Sequence, residues 1–103
     1  MKEWTFLTNH ALVLSLIAKH SRITGREIAN EVGITERAVR RLIADLDADG
    51  YLSKSRIGKG VEYSINPDLS LRHETHGEVA VGDFLRALGW RKRKRSRPGT
   101  GSQ

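Results

Sequence analysis

Residues 24–51 read TGREIANEVGITERAVRRLIADLDADGY, and this stretch decides the fold. Thr24 and Glu27 are spaced as a capping box, in which each residue satisfies a backbone donor at the start of a helix. Gly33 supplies the left-handed conformation that ends such a helix, and Thr35 can cap another helix almost at once. The stretch therefore predicts two helices that are joined by a tight turn and cross steeply.

The second of these helices has an apolar side and a charged side. Its apolar residues follow the i, i+3, i+4 and i+7 spacing of a core-facing stripe: Val39, Leu42, Ile43 and Leu46. The opposite side begins with four charged residues: Glu36, Arg37, Arg40 and Arg41. Gly50 is expected to end the helix.

The spacing of small and apolar residues across the turn is that of a helix-turn-helix. Counting from Gly25, Ala29 is the fifth residue, Gly33 the ninth, and the apolar Val39 and Leu42 the fifteenth and eighteenth. The small Ala29 lets the two helices touch, Gly33 makes the turn, and the two apolar residues anchor the second helix to the core. The outward N-terminal half of that helix can then enter the major groove of DNA.

Helical spacing predicts a further helix on each side of this motif. Apolar residues predict a first helix over residues 9–20, which either Thr8 or Asn9 can cap. A second apolar stripe predicts a last helix between about residues 74 and 88. Residues 21–23 are compatible with a short strand.

A β-hairpin is predicted directly after the motif. Residues 51–57 and 61–65 flank the glycine-rich tip at residues 58–60, and the second segment alternates between apolar and polar residues. The predicted fold class is therefore mainly α with a small β-hairpin, arranged as a three-helix core, the hairpin and an additional C-terminal helix.

The chain resembles the short winged helix-turn-helix transcriptional regulators of bacteria and archaea, of the MarR and ArsR type. The resemblance covers residues 5–88 and is carried by residues 7–11, 27–29, 33–39, 46, 49–52 and 71–73, of which Asp49-Gly50-Tyr51-Leu52 is the most specific. It implies a recognition helix from Thr35 onward, a wing on the flanking minor groove or phosphates, and a homodimer on a pseudo-palindromic site. Glu62 departs from the pattern, because such proteins often carry Arg around the wing tip.

The positive charge of the chain is concentrated at its C-terminal end. Of the 18 Lys and Arg residues, six lie within residues 91–97, and the others equal the 12 acidic residues in number, so residues 1–90 are formally neutral. A net charge of +6 indicates a polyanionic partner. We expect three regions: a DNA-binding domain at residues 1–68, a C-terminal helix at 69–90, and a disordered basic tail at 91–103.

Candidate DNA contacts come from the motif, the hairpin tip and the tail. They are Thr24, Thr35, Glu36, Arg37, Arg40, Arg41, Arg56, Lys59, Arg91, Lys92, Arg93, Lys94 and Arg95. Arginine can bind a guanine edge through two hydrogen bonds or pair with a phosphate, and helix N-termini attract phosphate. The alternative for the helix arginines is a solvated face on which Arg41 pairs with Asp45 at i, i+4.

The last helix offers a candidate dimerisation face. Its stripe consists of Val81, Phe84, Leu85 and Leu88, which can pack either on the same domain or on a second copy. A homodimer would set two recognition helices about 34 Å apart, which is one turn of DNA. Trp90 beside it either ends the packing of this helix or stacks on a base.

Several other classes of function are not expected. The chain has no Cys, which excludes disulfides and thiolate metal sites. Neither Asp45, Asp47 and Asp49 nor His73, Glu74 and His76 are expected to bind a metal, and no cofactor is predicted. The sequence contains no phosphate-binding loop and no nucleophile with a base at motif spacing, so it is not expected to be an enzyme.

The predicted function is sequence-specific regulation of transcription through double-stranded DNA. Without an apolar segment long enough for a membrane span, the expected location is the cytoplasm, in association with the nucleoid. Two alternatives stay open: a winged helix whose outward arginines meet an acidic protein, and a sequence-neutral nucleic-acid binder driven by the tail. The sequence specifies no small-molecule effector.

Overall fold

A computed structural model describes residues 6–72 and 77–91 of the chain. Its elements in chain order are α1 (Asn9–Lys19), α2 (Gly25–Val32), α3 (Glu36–Ala48), β1 (Leu52–Ile57), β2 (Gly60–Ile65) and α4 (Val81–Ala87). The expected fold class is confirmed, since three helices are followed by a hairpin and a fourth helix. No helix in the described ranges is long and apolar enough to cross a membrane.

The starts of the first three helices are fixed by threonine side chains. Thr8 caps α1 by accepting a hydrogen bond from the backbone N–H of Ala11, so it is Thr8 and not Asn9 that has this role. Thr24 and Glu27 make both bonds of the predicted capping box. Thr35 caps α3 by accepting from the backbone N–H of Ala38. These local bonds explain why the sequence located the helices well.

The turn between α2 and α3 depends on a glycine in the left-handed conformation. Gly33 has a φ of 85°, and its backbone N–H donates to the carbonyl of Ala29. Only Ile34 and Thr35 separate this glycine from the first residue of α3. The turn is therefore as tight as the spacing predicts.

One hydrophobic core holds all four helices and the base of the hairpin together. Its buried residues are Val13, Leu14, Ile17, Ile28, Ala29, Val39, Ile43, Leu46, Tyr51, Leu52, Val81 and Leu85. The last two belong to α4, so residues beyond position 68 contribute to the same core as the helix-turn-helix.

The two strands pair antiparallel, with Leu52 opposite Ile65 and Ile57 opposite Gly60. Gly58 at the tip has a φ of 58°, which suits a tight hairpin turn. Residues 21–23 do not form the suggested strand. One backbone hydrogen bond joins these residues to the sheet: the N–H of Tyr63 donates to the carbonyl of Ser21 at 2.8 Å.

The helix α4 begins later than the predicted start near residue 74. The backbone N–H of Val81 donates to Leu69, and that of Leu71 donates to Val79, which makes a short bridge between the two segments. Since this pairing requires extended backbone around residues 79–80, the helix can begin only at Val81. The apolar stripe could not reveal this, because the bridge joins residues distant in sequence.

Gly82 is a point of close approach between α4 and the segment after the hairpin. Its backbone N–H donates to the carbonyl of Pro67 at 2.8 Å. A Cβ added to Gly82 would lie 2.7 Å from the Cβ of Pro67 and 2.9 Å from its carbonyl oxygen. Both atoms belong to a rigid ring residue, so the contact leaves no room for a side chain.

We therefore expect Gly82→Ala to destabilise the protein by about 1–3 kcal/mol, the usual cost of overpacking. In an open helix the same change would stabilise by about 1 kcal/mol. Urea denaturation measures the difference. Gly25→Ala is the matched control, because a Cβ at this helical glycine meets nothing within 4 Å. A more stable Gly82→Ala variant would contradict the packing.

Candidate nucleic-acid interface

The helix α3 buries one side and exposes the other. Val39, Ile43 and Leu46 are buried in the core, whereas Arg37 and Arg41 are exposed. At 100° per residue, these two arginines lie on the side opposite the buried stripe. Since their side chains extend away from the core, they are free to meet a partner.

Arg40 is also exposed, although it lies nearer one flank of α3. Within residues 6–72 and 77–91, no ion pair is formed by Arg37, Arg40 or Arg41. The helix thus presents three guanidinium groups whose charge is not matched by a carboxylate from the described part of the chain. Such groups suit the guanine edges and phosphates of DNA.

The pairing of Arg41 with Asp45 that a solvated helix face would favour is not formed. Asp45 is bonded instead to His10 of α1, with 2.8 Å between Nε2 of the histidine and Oδ2 of the carboxylate. An ionised carboxylate only accepts hydrogen bonds, so the imidazole Nε2 is the donor. This contact draws the charge of Asp45 toward α1 and leaves Arg41 available.

The first acid of α3 is also held from outside the helix. Glu36 is paired with Arg26 of α2, with 3.5 Å between Nε and Oε2. Sequence reasoning did not find Arg26, because nothing in the local pattern shows that α2 brings it to the start of α3. Its side chain is 80% exposed, so it can also reach a bound polyanion.

Ala44 is a second residue that the sequence reasoning missed. It is exposed and follows Arg37 and Arg41 along the outward side of α3 at helical spacing. A small apolar side chain in this position suits the methyl group of thymine. Projection of the sequence on a helical wheel is the signal that would have revealed it.

The hairpin carries two cations near its tip, where Arg56 and Lys59 are both exposed. The acid Glu62, which seemed to weaken this region, is neutralised by Arg22 at 3.6 Å. In the middle of β2, burial raises the pKa of Tyr63 above its ordinary value, so this side chain is uncharged near neutral pH. The opposite residue on β1 is the exposed Lys54, which adds a third cation to the hairpin.

Comparison with known proteins shows which family this order of helices and strands resembles. Residues 8–53 match the winged helix-turn-helix DNA-binding family. The described part of the chain has the winged helix-turn-helix fold. In the terms used for this fold, α2 and α3 form the helix-turn-helix, α3 has the position of the recognition helix, and β1 with β2 forms the wing.

Individual proteins resemble parts of this domain. An uncharacterised protein of Methanocaldococcus jannaschii, MJ1254, is 35% identical over 57 residues, which make up 54% of this chain and 12% of that protein. A mutant of Lactococcus lactis ZitR has 22% identity and a TM-score of 0.51, over 64% of this chain and 47% of ZitR. T. potens IscR has 17% identity and a TM-score of 0.59, over 84% of this chain and 89% of its own. This chain thus spans only a small part of MJ1254 and about half of ZitR, and the two solved structures show that the fold is shared.

Thr24 and Thr35 lie at the N-termini of α2 and of the recognition helix. Both side chains already accept a backbone bond as caps. The helix dipoles at these ends still favour a negative charge nearby. A phosphate bound at either helix end would therefore be an additional partner, and the threonine would keep its capping bond.

The predicted dimerisation residues separate into two pairs. Val81 and Leu85 are 2% and 0% exposed and pack into the core of their own chain, so they are unavailable to a second copy. Phe84 and Leu88 are only partly buried. The sequence stripe could not distinguish these pairs, because both follow the same helical spacing.

Of the basic tail, the structure describes only Arg91, which is exposed. Lys92, Arg93, Lys94 and Arg95 lie outside the described residues, as do His73, Glu74 and His76. In the described part of the chain, no group of three or more His, Asp or Glu side chains is placed to hold a metal ion.

Proposed function

We propose that this chain is a sequence-specific DNA-binding regulator of transcription that acts in the cytoplasm, at the nucleoid. One observation carries the proposal: the recognition helix bears three exposed arginines without an ion pair in the described structure, two on its outward side and one nearer a flank, and both neighbouring acids are held by other helices. The family match of residues 8–53 supports the same role.

In this proposal the outward side of the recognition helix, from its N-terminal half as far as Ala44, enters the major groove. Arg37 and Arg41 read guanine through O6 and N7, and Ala44 contacts a thymine methyl group. Arg40 and Arg26, at the sides, pair with phosphates and set the position of the helix on the duplex. Arg56 and Lys59 of the wing follow the backbone or the adjacent minor groove.

The proposed assembly on DNA is a homodimer. Phe84 and Leu88 are the part of α4 that its own core leaves accessible, and they are proposed to meet a second copy. Two recognition helices related by a two-fold axis would then reach half-sites about 34 Å apart. The six cations of the tail would add affinity along the backbone, and the logarithmic salt slope would become steeper by up to about 5.

Selection of bound fragments from a random duplex library tests this proposal. A full-length variant with the six Lys and Arg of residues 91–97 replaced by Gln is selected in parallel. The regulator is expected to enrich one pseudo-palindromic motif, and the tail variant to enrich the same motif with lower affinity.

The two alternatives give other results. Binding without an enriched motif, and its loss in the tail variant, would favour a sequence-neutral nucleic-acid binder. An absence of duplex binding at low salt would favour an acidic protein as the partner of the arginines. Either result would contradict the proposed function.

A further inference from the structure

The contact between α1 and the recognition helix has a consequence for DNA binding. We infer that His10 is a positioning residue, which keeps Arg41 available to nucleic acid by holding Asp45 away from it. The inference rests on the proposed function for its effect on binding. The structural part of the inference, that Asp45 pairs with His10 and not with Arg41, can be tested without DNA.

The oppositely charged neighbour of Asp45 on the same helix is Arg41, four residues earlier. Residues four apart on a helix are neighbours, and opposite charges in this relation attract each other. In the structure this carboxylate is engaged elsewhere, 2.8 Å from His10, a residue 35 positions away in sequence. Arg41 accordingly forms no ion pair within the described residues. The two observations together indicate competition for one carboxylate.

The exposure of both side chains leaves Asp45 able to change its partner. The side chains of His10 and Asp45 are 47% and 55% exposed, so the carboxylate has room to turn along the helix surface. If His10 were absent, the nearest cation along the recognition helix would be Arg41. A carboxylate paired there would mask the guanidinium and would also repel the phosphates of an approaching duplex.

The effect on binding is measured by fluorescence anisotropy with the selected duplex. His10→Ala is expected to weaken binding about twofold to fivefold, the range of exposed ion pairs. His10→Gln is the conservative control, because the Gln amide can still donate to Asp45, and it should bind like the wild type. Melting curves establish that each variant is folded.

A second substitution separates positioning from a merely structural role. In the double variant His10→Ala with Asp45→Asn, the competing charge is gone, so the lost affinity should return and the double variant should bind as Asp45→Asn alone does, since both lack the same repulsion of phosphates. If the contact with His10 only stabilised the helix, removal of the second partner would not restore binding. Persistent loss in the double variant would therefore overturn the inference.

The DNA-free measurement is ¹⁵N NMR of the Arg41 guanidinium. Its signals should be the same in the wild type and in Asp45→Asn, should shift in His10→Ala, and should return in the double variant. Unshifted signals in His10→Ala would overturn the inference even if the duplex is bound normally. If the signals shift as expected but the wild type binds no duplex, the proposed function fails, together with the role in nucleic-acid binding, while the competition for Asp45 holds.

Discussion

Leu85→Ala is expected to lower the free energy of unfolding by about 2–5 kcal/mol, the usual cost of removing a large buried aliphatic side chain. Leu85 is fully buried and packs in the same core as the helix-turn-helix. The loss should be a large part of the total, since domains of this kind are stable by only about 5–15 kcal/mol. Urea denaturation followed by circular dichroism measures it.

Leu88→Ala is the matched control for this experiment. It removes the same atoms from the next turn of the chain, but Leu88 is only partly buried. Its cost should be clearly smaller, because less apolar surface returns to water. Equal and small losses for the two variants would mean that α4 does not belong to the core.

Arg41→Ala is expected to reduce discrimination between the selected duplex and a scrambled duplex by about 1–3 kcal/mol, the value of one bidentate contact with guanine. The reason is its position on the outward side of the recognition helix, without an ion pair in the described structure. Arg40, nearer the flank, should behave differently. Its replacement by alanine should weaken both duplexes to a similar degree, as loss of a phosphate contact does.

Fluorescence titration of both duplexes at one fixed salt concentration measures these effects. Arg86→Ala is the control, because Arg86 is an exposed arginine on α4 that pairs with Asp83 and lies outside the proposed interface. It should leave both affinities unchanged. Equal losses on the two duplexes for Arg41→Ala would show that this residue does not read bases.

The parts of the fold that follow from local chemistry could be predicted from the sequence. The capping box at Thr24, the turn at Gly33 and the apolar stripe of α3 each involve residues within a few positions of one another. Their geometry is set by backbone hydrogen bonding and helical periodicity. The helix-turn-helix could therefore be located correctly from these signals.

The features that the sequence did not reveal depend on contacts between distant segments. The late start of α4 follows from the bridge between Ser70 and Ala80, and the burial of Leu85 follows from where α4 docks. The contact of His10 with Asp45 is of the same kind, since no local pattern links α1 to the recognition helix. At the candidate site, the exposed arginines were predictable from helical spacing, whereas the partners of the two neighbouring acids, His10 and Arg26, were not.

The central claim is that the outward side of the recognition helix reads the major groove. It is tested most directly by replacing the purines of the selected motif with 7-deazapurines, which lack the N7 acceptor of the major groove and leave the minor groove unchanged. We expect the wild type to bind this duplex more weakly by about 1–3 kcal/mol for each bidentate pair that is lost, and Arg41→Ala to show a smaller additional loss. Unchanged affinity of the wild type for the 7-deazapurine duplex would contradict the account.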